Sequence, residues 1–377
     1  MKIPLSPLDY YFFRRRLYTI QFVFEYQGQL DTTQFEKSLN ETRAVFPATG
    51  ARIKIESDRE ITLETGFSIP LRTIRISTEP KFDTPEDVES LLDPVINEDG
   101  MPVLKILVTQ SPSRSFVSIS FSHMLGDGMS FFRFLSSLSA NCLHKKAGSK
   151  PCDQRELLQR GSLPGDSRKA LFAATGYVIP RPPNPDAFSV ERIHYSNQEL
   201  EMLKRHCMAK GFQVSTNDIL MAELAKRFHR DIPLHNGQFI VRCPVEYRKI
   251  LGLPSEYFGN AVRDALTILQ PEEIETMDIA NLAGKIRKSI LDVGKESIEE
   301  SLRCLNALRE ENGIEIFEDV GCPGLLVSNF SKFPIRKIDF GLGAPSVFHH
   351  ASLNPRLALI LHAQDGVDVR FKRPLPR

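Results

Sequence analysis

The chain has 377 residues, of which 41% are hydrophobic, enough to bury a sizeable core and too many for one comfortable domain. Its 48 Lys and Arg nearly cancel 47 Asp and Glu, and no basic run is interleaved with aromatics, so nucleic acid is not an expected partner. The cysteines (Cys142, Cys152, Cys207, Cys243, Cys304, Cys322) form no CxxC pair, which argues against both a zinc site and a disulfide framework.

The N-terminal stretch MKIPLSPLDYYFFRRRLYTI lacks the basic-then-apolar order of a signal peptide, and no apolar run approaches membrane-spanning length. A cytoplasmic location is expected by default. Tyr18, Ile20, Phe22, Phe24 and Tyr26 alternate with Thr19, Gln21 and Glu25 at the period of a half-buried strand. A helix follows, capped by Thr32 or Thr33 and stopped by Pro47, with Phe35, Leu39 and Val45 near helical spacing. ARIKIE and EITLE then read as a hairpin turning at Ser57 to Arg59.

Residues 103 to 109 and 115 to 122 read as a second strand pair, and a helix starts near Met129 with an apolar stripe of Phe131, Leu135, Leu138 and Cys142. Residues 144 to 190 are rich in Lys, Gly, Pro and Ser and read as a linker. Beyond it, Ser196 with Glu199 and Ser215 with Asp218 resemble capping boxes. Strands are expected at 238 to 245, 324 to 330 and 357 to 363, with two helical stretches between about 272 and 311. Strands and helices on both sides of a linker predict a two-lobed α/β chain.

The segment FSHMLGDGMSFFRFL (121 to 135) carries the chemistry. Val117, Ile119 and Phe121 share one strand face, and His123 continues it into a Gly-rich turn. An imidazole with a reference pKa of about 6.5 suits proton transfer at neutral pH. Asp127 could hold that imidazole directly, or could pair with a cation and brace the turn. A single histidine at a strand end is by itself an ordinary core residue; its context changes the reading.

His123 to Gly128 spells HxxxDG, and DFGLG at 339 to 343 differs by one residue from DFGWG. Together with LSPLD (5 to 9), FPATGAR (46 to 52), LPSEYFGNAV (253 to 262) and SNFSKFPIRKIDFG (328 to 341), this ordered set resembles the BAHD acyl-CoA-dependent acyltransferases along nearly the whole chain. HxxxDG also occurs in condensation domains and chloramphenicol acetyltransferases of the same superfamily. Condensation domains usually place a second His before the catalytic one, where this chain has Ser122.

The resemblance implies a chloramphenicol acetyltransferase-like fold, with mixed sheets flanked by helices and a solvent channel between lobes. It divides the chain into an N-terminal lobe (1 to 145) with HxxxDG, a crossover linker (146 to 190) and a C-terminal lobe (191 to 377) with YFGN and DFGLG. It implies that His123 is the general base, supported by Asp127, Gly128 and Ser328, the last a hydroxyl placed to donate to an oxyanion. Asp339, Gly341, Gly343, Arg248 and Asn260 are implied to be structural, with Asp339 paired to Arg248 and Asn260 shaping the wall of the site.

Acyl-CoA would be a co-substrate and a small alcohol or amine the acceptor, in secondary metabolism. No tightly bound cofactor, metal, membrane or nucleic acid is implied, and a monomer is the family-like default. A carrier-protein-dependent, condensation-like enzyme and a non-catalytic ligand-binding descendant are the competing readings. The chain departs from the family in lacking tryptophan, with Phe330 and Leu342 at the family's Trp positions, and in ending at FKRPLPR soon after its last expected strand.

Overall fold

A computed structural model describes residues 1–13, 19–82, 88–146, 148–184, 188–351 and 354–374. Tyr18, Arg14 to Arg16 and the final Leu375 to Arg377 lie outside the described residues. The first lobe is built on a five-stranded sheet in the order Val347–His350, Thr19–Gln27, Arg114–Ser122, Leu104–Gln110, Leu71–Arg75. The last pair is parallel and the others antiparallel. A three-stranded sheet of Lys2–Pro4, Ile61–Glu64 and Arg52–Ile55 lies beside it and contains the expected hairpin.

The second lobe is built on a six-stranded mixed sheet in the order Val262–Leu269, Phe239–Glu246, Leu325–Asn329, Leu357–Ala363, Gly366–Pro374, Phe188–Tyr195. The alternation of side chains gives this sheet two different faces. Leu325, Val327, Ala358, Ile360, Val367, Val369 and Phe371 pack under the helices Asn197–Ala209, Thr216–Phe228 and Ile279–Leu291. Leu359 and Leu361 point the other way, into a core shared with the first lobe. The outcome is a two-lobed α/β architecture with mixed sheets flanked by helices.

Both capping boxes form, at Ser196 with Glu199 and at Ser215 with Asp218. The first long helix, Thr32–Val45, is capped by Asp31 rather than by a threonine, its carboxylate accepting from the N–H groups of Thr33 and Gln34 at 3.0 Å each. A carboxylate reaches the first-turn N–H groups and also complements the positive helix end. Three helices occupy the region read as two, Pro271–Thr276, Ile279–Leu291 and Lys295–Asn312. The linker region is not featureless either: it contains a 3₁₀ turn at Arg155–Leu158 and a helix at Ser167–Thr175.

Candidate active site

Strand Arg114–Ser122 ends one residue before His123, and helix Gly128–Cys142 begins five residues after it, so the imidazole stands on a tight strand-to-helix turn. His123 Nδ1 lies 3.0 Å from Asn260 Oδ1. The Asn260 amide donates to the His123 carbonyl oxygen and to Asp9 Oδ1, each at 2.7 Å. A flipped amide would oppose oxygen to oxygen at both of those contacts, so its oxygen must face the imidazole. Nδ1 is therefore the N–H donor, and in the neutral ring Nε2 carries the lone pair.

Asp9 belongs to the LSPLD stretch and is fully buried. Its Oδ2 accepts from the Ser6 N–H at 2.8 Å and from Arg155 Nη1 at 2.6 Å. Arg155, also fully buried, donates further to the carbonyls of Met124 and Leu125 at 3.3 and 2.5 Å, in the very turn that carries His123. Phe12 stacks face to face on the imidazole, with ring centroids 3.8 Å apart and planes 9° from parallel.

His123 is half-buried, with part of its surface still accessible to solvent. Burial pushes its pKa below the ordinary imidazole value, and the charges of Asp127 and Asp9 only partly offset that, as does the Asn260 hydrogen bond. The lowered pKa favours the neutral imidazole near physiological pH.

Asp127 does not reach the imidazole. It caps the helix through the Ser130 N–H at 3.0 Å, accepts from the Ala261 N–H at 2.9 Å, and forms a bidentate pair with Arg248 at 2.9 Å to each oxygen. Burial opposes its ionisation, but the Arg248 guanidinium outweighs this and holds the carboxyl below its usual range. Arg248 also donates to Glu246, to the Tyr257 and Gly259 carbonyls and to the Ser130 hydroxyl. The expected pairing of Arg248 with Asp339 is therefore corrected: the HxxxDG turn, not the DFGLG loop, takes this arginine.

Asp339 instead folds its own loop. Its Oδ1 accepts from the N–H groups of Gly341, Leu342 and Gly343 at 2.8, 3.0 and 2.8 Å, and the two glycines take the positive φ values of 104° and 88° that this turn requires. Its own N–H bonds the Ser139 hydroxyl, twelve residues along the helix from Asp127, a rise of about 18 Å at 1.5 Å per residue. Gly128 opens that helix where the Phe333 ring approaches so closely that a Cβ would lie 2.9 Å from it.

Ser328 lies on Leu325–Asn329, opposite Leu359, and is half-buried. Among the described residues its hydroxyl makes no hydrogen bond, and none joins it to His123. Phe330 meets Phe22, Phe132 and Phe333 at 5.8, 6.4 and 5.1 Å, keeping an aromatic cluster where the family has tryptophan. The structure thus gathers His123, Asp127, Gly128, Arg248 and Asn260, leaves the DFGLG loop folded on itself, and gives Ser328 no hydrogen bond to this network among the described residues. Asp9, Arg155 and Phe12 were missed as site residues. LSPLD was a signal for the first, whereas nothing in the linker's composition singles out Arg155.

Among the described residues no helix is long and apolar enough to cross a membrane, and no group of three or more His, Cys, Asp or Glu side chains could hold a metal. Comparison with known proteins bears on the fold and the family. The chain is 24% identical over 375 residues to a spermidine coumaroyl-CoA acyltransferase of Arabidopsis thaliana, covering 91% of this chain and 80% of that one. Its fold is similar to that of TRI101 of F. sporotrichioides, solved with coenzyme A and T-2, at a TM-score of 0.77 and 15% identity over 99% of this chain and 95% of the other. It is also similar to vinorine synthase, at a TM-score of 0.73 and 16% identity over 99% and 90% of the two chains. The model of the Transferase family matches residues 77–370, so the chain belongs to that family, the BAHD acyl-CoA-dependent acyltransferases.

Proposed function

We propose that this protein moves an acyl group from an acyl-CoA thioester to a hydroxyl or amine of a small molecule of secondary metabolism, with His123 as general base and no acyl-enzyme. The observation that carries the reading is the 3.0 Å contact of His123 Nδ1 with Asn260 Oδ1, which supports a lone pair at Nε2. Nε2 takes the acceptor proton as the acceptor oxygen or nitrogen bonds to the thioester carbonyl carbon. A tetrahedral oxyanion forms, and the Ser328 hydroxyl is our candidate donor to it. The C–S bond then breaks, and the imidazolium returns the proton to the CoA thiolate. The products are acylated acceptor and free CoA.

Asp9, through Asn260, is a positioning residue in this scheme, and Asp127 builds the turn. Residues 1 to 145 would supply the base, 146 to 190 the buried Arg155, and 191 to 377 the facing wall. A solvent channel between the lobes, a cytoplasmic location and a monomeric state complete the proposal. Free CoA is followed with a thiol reagent across acyl-CoAs paired with alcohols and amines. His123→Ala should lower turnover by about 10²- to 10⁴-fold, the usual contribution of a positioned base, while the circular dichroism spectrum is retained. Near-normal turnover in that variant refutes the assignment.

A further inference from the structure

The short helix Pro7–Tyr11 serves His123 twice. Asp9 reaches the edge of the ring through the Asn260 amide. Phe12, the residue at the C-terminal end of the helix, lies on the face of the ring, with centroids 3.8 Å apart and planes 9° from parallel. Phe12 is itself fixed in place. Only 6% of it is exposed, its N–H donates to the Asp9 carbonyl oxygen at 3.0 Å, and its own carbonyl accepts from the Asn97 amide at 3.1 Å. The Tyr11 ring meets it edge to face at 5.0 Å.

The two contacts constrain the imidazole in different directions. The hydrogen bond at Nδ1 lies along an edge of the ring and fixes where that edge points, but it leaves the ring able to roll about the bond. The face-to-face stack stops the roll. With both in place the plane of the ring is set, and the Nε2 lone pair, which lies in that plane, has one direction along which to meet a proton.

The stack also distinguishes the two protonation states. Two neutral rings gain little from lying flat on one another, because aromatic pairs prefer offset or edge-to-face arrangements. A cation over a ring face is attracted by the negative quadrupole of that face, and more strongly where water is excluded. Contact with Phe12 therefore favours the imidazolium over the imidazole, working against the burial that disfavours the charged ring. An interaction that strengthens as the proton arrives lowers the barrier instead of merely binding the reactants. Resting on the acyl-transfer reading, we propose that Phe12 is a positioning residue of the reaction, which sets the plane in which Nε2 takes the acceptor proton and stabilises the imidazolium that results. The Nε2–H bond forms as the acceptor's O–H or N–H bond breaks, and the electron pair so released goes to the thioester carbonyl carbon.

The His123 ring is titrated by NMR in the full chain carrying isotope-labelled histidine, its signals identified by their loss in His123→Gln. Phe12→Leu keeps an apolar side chain and removes the π face. Pentafluorophenylalanine in place of Phe12 keeps the shape of the ring and reverses its quadrupole, and it serves if the leucine variant does not fold. In both, the His123 pKa should fall by about 0.4 to 1.5 pH units, the size of a cation–π contact. Turnover should follow, with kcat lower by about 2- to 30-fold, KM within about twofold and the rising limb of kcat/KM moved to lower pH. Phe12→Tyr should keep both pKa and kcat near those of the unmodified chain. A His123 pKa unmoved by the fluorinated ring, or lowered as much by Phe12→Tyr, overturns the proposal, as does a loss of stability with no change in that pKa. A pKa that falls as expected in a chain that releases no CoA from any pair would overturn the acyl-transfer reading and leave the hold of Phe12 on the imidazolium standing.

Discussion

Two buried aspartate–arginine pairs flank His123, and they differ in what their carboxylates have left to offer. Asp127 receives four donors, two from Arg248 and one each from the N–H groups of Ser130 and Ala261. A carboxylate has about four lone-pair sites, so none remains for an imidazole. Asp9 receives Ser6 and Arg155 on one oxygen and keeps the other for the Asn260 amide, which in turn faces His123. The acid nearest the histidine in sequence thus builds the scaffold, while the acid that orients the ring comes from 114 positions upstream. Proximity along the chain is a poor guide to which carboxylate is linked to an imidazole.

The largest effect expected from this contrast is on stability. Asp127→Ala would leave Arg248 buried without its bidentate partner, at a cost of about 3–5 kcal/mol, read from urea denaturation midpoints. A loss below about 1 kcal/mol would mean that Asp127 does not hold the turn. Asn260→Ala should act on turnover instead. With the ring free to change tautomer, kcat should fall roughly 10- to 100-fold, part of the contribution of a positioned base, with KM little changed. Equal losses of stability and activity in both variants would erase the distinction between the two pairs.

The smallest effect is on pH dependence. With His123 as the proposed base and its pKa lowered by burial, kcat/KM should rise with pH along a limb whose midpoint lies below the ordinary imidazole value of about 6.5. Asp9→Asn removes a charge that favours the imidazolium, so the rising limb should move to still lower pH; an unmoved limb would disconnect Asp9 from the ring. For stability, the folded pKa of His123 lies below the unfolded one, so the unfolded chain binds more protons between them. Stability then falls as pH falls through that window. The lowered pKa of Asp127 contributes stability that is full above the unfolded carboxylate value and is lost as pH falls through the folded one. His123→Gln should abolish the first loss and spare the second.

Much of the fold was legible because the signals are local. The alternation of Thr19–Gln27 and Arg114–Ser122, the Phe131, Leu135, Leu138, Cys142 stripe and the two Ser capping boxes each act within one element. Strand Gly366–Pro374 was passed over although it alternates too, Val367, Val369 and Phe371 inward against Asp368, Arg370 and Lys372. Strand Val347–His350 was not recoverable that way: it completes the first lobe's sheet from more than three hundred residues away, a pairing that its four residues do not announce.

By itself the amino-acid sequence determined that a histidine would end a strand at a glycine turn, and that its motifs stand in the order of a known acyltransferase family. Only the tertiary structure decided which side chains meet that ring. Phe12, Arg155 and Asn260 reach His123 or its turn from three separate segments, and Asp9 acts through Asn260 and Arg155. Their meeting depends on how the two lobes pack, because hydrogen bonds within a buried site are chosen by where every donor and acceptor can be satisfied at once, and no local period encodes that.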